Sequence, residues 1–121
     1  MAKILVIEDE VSYCDSLMLV LSRAGHEVQI VQSSHQGIRE GIAHGPDLVI
    51  TDWMLKSEFH GGQVAEQIRA AHPRVKVIVI TGYLDVARQV EESYRFVSEV
   101  IQKPFHTTEI LGAAERVLTE G

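Results

Sequence analysis

Five polar residues stand where short apolar runs end. Glu8 and Asp9 follow Ile4-Leu5-Val6-Ile7, Asp52 follows Leu48-Val49-Ile50-Thr51, Thr81 follows Val77-Ile78-Val79-Ile80, and Lys103 follows Ile101-Gln102. If these ends meet, three carboxylates share one place. Two such charges ~4 Å apart repel by about 4 kcal/mol even at an effective dielectric of 20. A proton or a cation must offset that. Carboxylate oxygens, a backbone carbonyl and waters suit a hard ion. Mg²⁺ fits best, because it takes few protein ligands and keeps several waters, with Mn²⁺ as the alternative. Zinc does not fit, since the six histidines are scattered and form no ligand pairs. A threonine hydroxyl and a lysine ammonium facing such a cluster form a receptor for a tetrahedral anion. The backbone N–H groups of Trp53 and Gly82 are candidates for further donors to it. An aspartate carboxylate is a nucleophile towards phosphorus, and phosphoryl transfer asks mainly for positioning and charge neutralisation. The set therefore points to Asp52 as a phosphoryl acceptor.

The elements that must position these residues are legible from hydrophobic period. Runs of four or five residues, Lys3–Ile7, Glu27–Val31, Asp47–Ile50, Lys76–Ile80 and Ser98–Ile101, read as strands. All but the second are almost wholly apolar, as strands buried on both faces must be. Between them the period changes. Cys14, Leu17, Met18, Leu21 and Ala24 give one apolar stripe, stopped at Gly25. Ser34 can cap a second helix ending near His44-Gly45-Pro46. A third runs from about Gly62 to Ala71, before Pro73. Asp85 and Thr107 can cap the fourth and fifth.

Strands alternating with helices imply a parallel sheet covered on both faces, with right-handed crossovers. The reading is α/β, a doubly wound five-stranded parallel sheet, (βα)5, of flavodoxin-like strand order 2-1-3-4-5. Its ligand site falls at the carboxyl ends of the strands. Strands one and three are then neighbours ~4.8 Å apart, which brings Glu8, Asp9 and Asp52 to one edge.

Length and composition set the outer limits. The 121 residues fit one domain spanning 1–121. The single cysteine, Cys14, forms no internal disulfide, suits a reducing compartment, and reads as a packed thiol. No signal peptide and no membrane-length apolar run is evident, so a cytoplasmic location is expected. The net charge of −6 argues against direct nucleic-acid binding.

Four motifs, Ile4-Leu5-Val6-Ile7-Glu8-Asp9-Glu10, Asp47-Leu48-Val49-Ile50-Thr51-Asp52, Ile80-Thr81-Gly82 and Lys103-Pro104-Phe105, give a resemblance that covers essentially the whole chain. The sequence resembles a response-regulator receiver domain of two-component signalling, of the chemotaxis-regulator kind. The resemblance implies that Asp52 is the phospho-acceptor and that a histidine kinase or histidine phosphotransfer protein supplies the phosphoryl group. It implies that Asp9, Asp52 and the Met54 carbonyl ligate Mg²⁺ with Glu8 assisting. It implies that Thr81 and Lys103 bind phosphoryl oxygens, and that the Lys103–Pro104 bond is cis. A downstream protein or output domain would read the phosphorylated state. The chain itself is a switch rather than a turnover enzyme, acting by protein contact or as a piece of a larger regulator or hybrid kinase.

Two features depart from the family pattern. No proline follows Met54, and the segment to Gly61-Gly62 is about one residue longer. Val100 stands where many receivers carry an aromatic residue three positions before the lysine, so the usual threonine–aromatic relay has no partner there. Tyr83 is a candidate substitute. The bulk of Met54 and Tyr83 predicts hindered water and a long-lived phosphoryl state.

The plainer readings are local. Glu8 and Asp9 can serve a helix N-terminus, Thr81 can be a strand-end hydroxyl, and Lys103 a solvated charge. Their coincidence with Asp52 favours the site. Three rivals remain. A small Asp-nucleophile phosphatase would carry Asp-x-Asp at the first strand. A flavin module would need a small-residue phosphate loop where Glu8-Asp9-Glu10 stands. A receiver-like scaffold would signal without phosphorylation.

Overall fold

A computed structural model describes residues 2–120. In chain order the elements are β1 (Lys3–Ile7), α1 (Val11–Arg23), β2 (Glu27–Val31), α2 (Ser34–His44), β3 (Leu48–Asp52), α3 (Gly61–Ala71), β4 (Lys76–Thr81), α4 (Leu84–Ser93), β5 (Glu99–Gln102) and α5 (Thr107–Thr119). The five strands form one parallel sheet in the order β2-β1-β3-β4-β5, the order expected from the sequence. No described helix is long and apolar enough to cross a membrane.

Side chains alternate across a strand, so each central strand feeds two cores. Ile4, Val6, Ile50, Ile78 and Ile80 pack with Leu17, Leu21, Ile110 and Val117 of α1 and α5. Leu5, Ile7, Val49, Val77 and Val79 pack with Val64, Ile68 and Val90 of α3 and α4. This double burial explains the unbroken apolar runs. Each fully buried Leu, Ile or Val contributes roughly 1.5–3 kcal/mol. Truncation of Ile68 or Leu17 to alanine removes such a contact and leaves a void, at about 2–5 kcal/mol.

Three strands end later than their apolar runs suggest. β3 reaches Asp52, β4 reaches Thr81 and β5 reaches Gln102. Asp52 therefore pairs with Ile80, and Thr81 with Gln102. The acceptor candidate sits on the ladder itself, not in the loop beyond it.

The caps also shift by one or two residues. Ser33, not Ser34, caps α2, its hydroxyl accepting the Gln36 N–H at 3.2 Å. Ser34 is buried instead. Its N–H donates to Ser57 Oγ at 3.0 Å, and its hydroxyl accepts the Phe59 N–H at 3.4 Å. Together with a His35–Glu58 pair at 3.0 Å, this clasps the long β3–α3 loop onto α2. Tyr83 and His106 hold the N-cap positions of α4 and α5. Asp85 lies within the first turn of α4, and Thr107 opens α5.

Candidate functional site

The β1–β3 pairing sets Ile7 beside Thr51, so the residues that follow, Glu8 and Asp52, converge. β4 and β5 extend the edge with Thr81 and Gln102, and the turn after β5 returns Lys103 to the same place. Lys103 is fixed there by its N–H, which donates to the Thr81 carbonyl at 2.8 Å. The Lys103–Pro104 bond is cis.

The Lys103 ammonium lies at the centre. Nζ is 2.9 Å from Asp52 Oδ2, 3.3 Å from Glu8 Oε1 and 3.2 Å from Glu10 Oε1. The Tyr13 ring covers another side, its centroid 4.3 Å from Nζ. Glu8 is almost sealed, with 1 % of its side chain exposed, against 11 % for Lys103 and 51 % for Glu10. Burial, then the charge of Asp52, pushes the Glu8 carboxyl from 4.5 up to about 7, against the opposing Glu10 N–H and Lys103. Burial alone draws the Lys103 ammonium down. The hydrogen bonds and charges of Asp52 and Glu8 more than reverse this, and it stays above the ordinary lysine value.

One oxygen in this web is unsatisfied. Glu8 Oε2 makes no hydrogen bond among the described residues, although Lys103 Nζ is 3.1 Å away as a charge. The ammonium is directed at Oε1. A sealed carboxylate oxygen without a donor is costly and is the kind of atom a cation satisfies. Oxygens of Glu8, Glu10 and Asp52 lie within 4.8 Å of one another. All-oxygen donors of this sort fit a hard divalent ion.

Of the residues read from sequence, Glu8, Asp52 and Lys103 come into direct contact. Asp9 is placed differently. Its Oδ2 accepts the Lys56 N–H at 3.1 Å, on the β3–α3 loop. Glu10, not singled out from the sequence, stands in the carboxylate cluster in its place. Met54 flanks the site, its N–H donating to Asp52 Oδ1 at 3.3 Å. Thr81 is fully buried, and its hydroxyl accepts the Tyr83 N–H at 3.1 Å. Gly82 is exposed, and a Cβ there would meet nothing within 4 Å, so the space before it is open.

The Trp53 N–H is a correction. It donates to the Ile80 carbonyl at 2.9 Å, because the β3–β4 ladder includes Asp52, paired with Ile80. That donor is spent inside the sheet, and the N–H that reaches Asp52 is that of Met54.

Trp53 contributes its ring elsewhere. It is buried, stacks on His60 at 4.1 Å and 17°, and meets Tyr94 edge-on at 5.3 Å. His60 Nδ1 accepts the Gly62 and Gln63 N–H groups at 3.1 and 3.3 Å and so caps α3. Burial holds the His60 imidazole below its ordinary value, against the charge of Glu66. Gly61 presses on the Asp52 carbonyl, where any Cβ would collide. Val100 is half-buried among the α4-side apolar residues.

Fold and site together define a receiver, an acidic sheet-edge pocket with an aspartate, a threonine and a lysine at the ends of successive strands. Residues 4–115 match the response regulator receiver domain family, and the chain belongs to it. It is similar to the DNA-binding transcriptional regulator NtrC of Rhizobium meliloti, at 30% identity over 119 residues, 98% of this chain and 24% of that protein. It is similar to the nitrogen assimilation regulatory protein NtrX of Azorhizobium caulinodans, at 26% identity over 116 residues, 95% of this chain and 26% of that protein. The chain thus spans about a quarter of the length of these curated relatives. Among solved structures, the receiver domain of NtrX from Brucella abortus superposes with a TM-score of 0.87 at 29% identity, covering 98% of this chain and 99% of that one. Receiver domains of response regulators are phospho-accepting switches that bind Mg²⁺ at an acidic pocket.

Proposed function

We propose that this chain accepts a phosphoryl group on Asp52 from a histidine kinase or a histidine phosphotransfer protein, and that the phosphorylated state changes its affinity for a downstream protein or output domain. The observation that carries this is the Lys103–Asp52 contact at 2.9 Å beside a sealed Glu8 oxygen that makes no hydrogen bond among the described residues. It is a site with one nucleophile, one fixed cation and three carboxylates whose oxygens lie within 4.8 Å of one another.

In the transfer, an Asp52 carboxylate oxygen attacks phosphorus in line. The bond from phosphorus to the donor imidazole nitrogen breaks, and the imidazole leaves with that electron pair. Lys103 offsets the charge gathered on the phosphoryl oxygens. The Met54 N–H steadies the other Asp52 oxygen. The Thr81 hydroxyl can donate to a phosphoryl oxygen while it accepts from Tyr83 N–H, and the open Gly82 backbone lies beside it. Glu8, Glu10 and Asp52 are the residues that would hold Mg²⁺ or Mn²⁺, with Asp9 and the Met54 carbonyl adjacent. The ion supplies neutralisation of the carboxylates and of the transferred group. The exposed apolar residues Val11, Met54, Tyr83 and Leu84 follow β1, β3 and β4, and give a phosphodonor protein a surface around the pocket. A cytoplasmic receiver domain, itself without direct nucleic-acid contact, is the setting this reading implies.

A second reading rests on Val100. Lacking an aromatic residue there, the domain would act as a contact scaffold without phosphorylation. Intact mass after incubation with acetyl phosphate and Mg²⁺ separates the two. The expected result is a gain of one phosphoryl mass that is absent in Asp52→Asn. An unmodified wild type, or an unchanged gain in the variant, sinks the acceptor reading.

A further inference from the structure

We propose that Tyr13 is a positioning residue that holds the Lys103 ammonium through its ring face, leaving the N–H groups free for oxygen acceptors. This rests on the phospho-acceptor reading of Asp52. The starting point is a count of donors. A lysine ammonium has three N–H groups and no more. Here Asp52, Glu10 and Glu8 take them, at 2.9, 3.2 and 3.3 Å. A phosphoryl oxygen arriving on Asp52 therefore has to displace one of these partners.

Glu10 is the partner able to leave. It is half exposed, and an ion pair in contact with water is worth little. Glu8 is sealed and stays. Once Glu10 swings away, the ammonium sits at the end of a flexible four-carbon stem with one restraint fewer. The Tyr13 ring supplies a restraint that takes no donor, because a cation is drawn to the π face itself. Its centroid lies 4.3 Å from Nζ, and Phe105 backs the ring at 5.1 Å with a 34° tilt. Tyr13 stands one turn into α1, three residues after Glu10. Phe105 follows Lys103 by two. The clamp is thus built from the same two segments as the acid pocket. Like the sealed Glu8, it stays with Lys103 before and after transfer, but it occupies no N–H. Tyr13 touches the lysine and not the reacting atoms.

The test uses the full chain as wild type, Tyr13→Phe and Tyr13→Leu. Two measurements are made. One is the NMR shift of the Lys103 ε-methylene, assigned by its loss in Lys103→Arg. The other is phosphorylation by acetyl phosphate with Mg²⁺, followed by intact mass across donor concentrations. The expected result is a ring-shifted ε-methylene in wild type and Tyr13→Phe that relaxes to the ordinary lysine position in Tyr13→Leu. Tyr13→Leu should also need roughly threefold to tenfold more acetyl phosphate for half-maximal rate, the range of one cation–π contact at a partly desolvated site. Tyr13→Phe should match wild type, which a hydroxyl-based role would not allow. If Tyr13→Leu fails to fold, Tyr13→Met replaces it. An ε-methylene that does not move in the leucine or methionine variant overturns the proposal, as does unchanged half-saturation in a wild-type-like fold. A wild type that gains no phosphoryl mass defeats the acceptor reading instead, and the NMR arm still decides whether Tyr13 holds Lys103.

Discussion

At the amino ends of the strands, Asp47 Oδ2 accepts the Lys3 N–H at 2.8 Å, Lys3 Nζ donates to the His44 carbonyl at 3.1 Å, and His26 Nδ1 accepts the Ala2 N–H at 3.2 Å. At the carboxyl ends, one ammonium is divided among three carboxylates, and a sealed oxygen of Glu8 makes no hydrogen bond among the described residues. Both ends carry carboxylates and amines. At the amino ends each side chain meets a backbone group and stitches neighbouring segments together. At the carboxyl ends the side chains meet one another, and their charges do not balance. The first arrangement only stabilises. The second gives up stability for a site that the proposed cation and phosphoryl group would complete.

Glu8→Gln breaks this contrast most directly. Burial favours the neutral acid in the fold, so folded Glu8 keeps its proton up to about 7, while the unfolded chain releases it near 4.5. The stability of the protonated form is fully present below 4.5 and is lost as pH rises through 7. The glutamine variant escapes that loss. It should be more stable than wild type by up to about 3 kcal/mol at pH 8 and by far less at pH 5. Urea unfolding in EDTA at both pH values measures this, and added Mg²⁺ should narrow the gap at pH 8. An equal gap at both pH values would remove the claim that the carboxyl ends are strained by charge.

At the opposite end, Asp47→Ala should lose about 1 kcal/mol, the worth of one ordinary hydrogen bond. The loss should be the same with and without Mg²⁺. A loss that depends on the ion would mean that the two ends are not independent. The smallest effect sharpens the comparison from inside the site. His60 behaves as amino-end residues do, since its Nδ1 caps backbone N–H groups and so must be unprotonated. With its folded value lowered, its contribution is complete above the ordinary imidazole value of 6.5 and is lost as pH falls below it. Wild type should lose up to about 1 kcal/mol, the scale of one cap, more than His60→Asn between pH 7 and pH 5. Thermal melts across that range would show it, and parallel curves would refute it.

The sequence made the sheet and most of the pocket readable because each strand carried its own apolar run and its own terminal polar residue. Strand order then followed from the alternation of elements and from the resemblance together. What escaped were matters of one residue. The ladder ran through Asp52, and this consumed the Trp53 N–H. Ser33 rather than Ser34 took the cap, because Ser34 was drawn into the clasp with the β3–α3 loop. Asp9 and Glu10 are adjacent carboxylates with no pattern to say which faces inward. Register and the entry of α1 decide that Glu10 reaches Lys103 while Asp9 reaches Lys56. Tyr13 lay in the first helix, off the apolar stripe, with no sequence signal linking it to a lysine ninety positions later. The spacing from Glu10 marks only that both face the same side of α1.

The chain contains one tryptophan, directly after Asp52, buried and stacked on an imidazole. Its emission therefore comes from a single place, one peptide bond from the acceptor candidate Asp52. Because the partner ring is a quencher when protonated, brightness and wavelength read the packing of the β3–α3 loop in real time. The proposed ion binding and phosphoryl uptake would be followed by that emission in a cuvette, with no label and no second protein present.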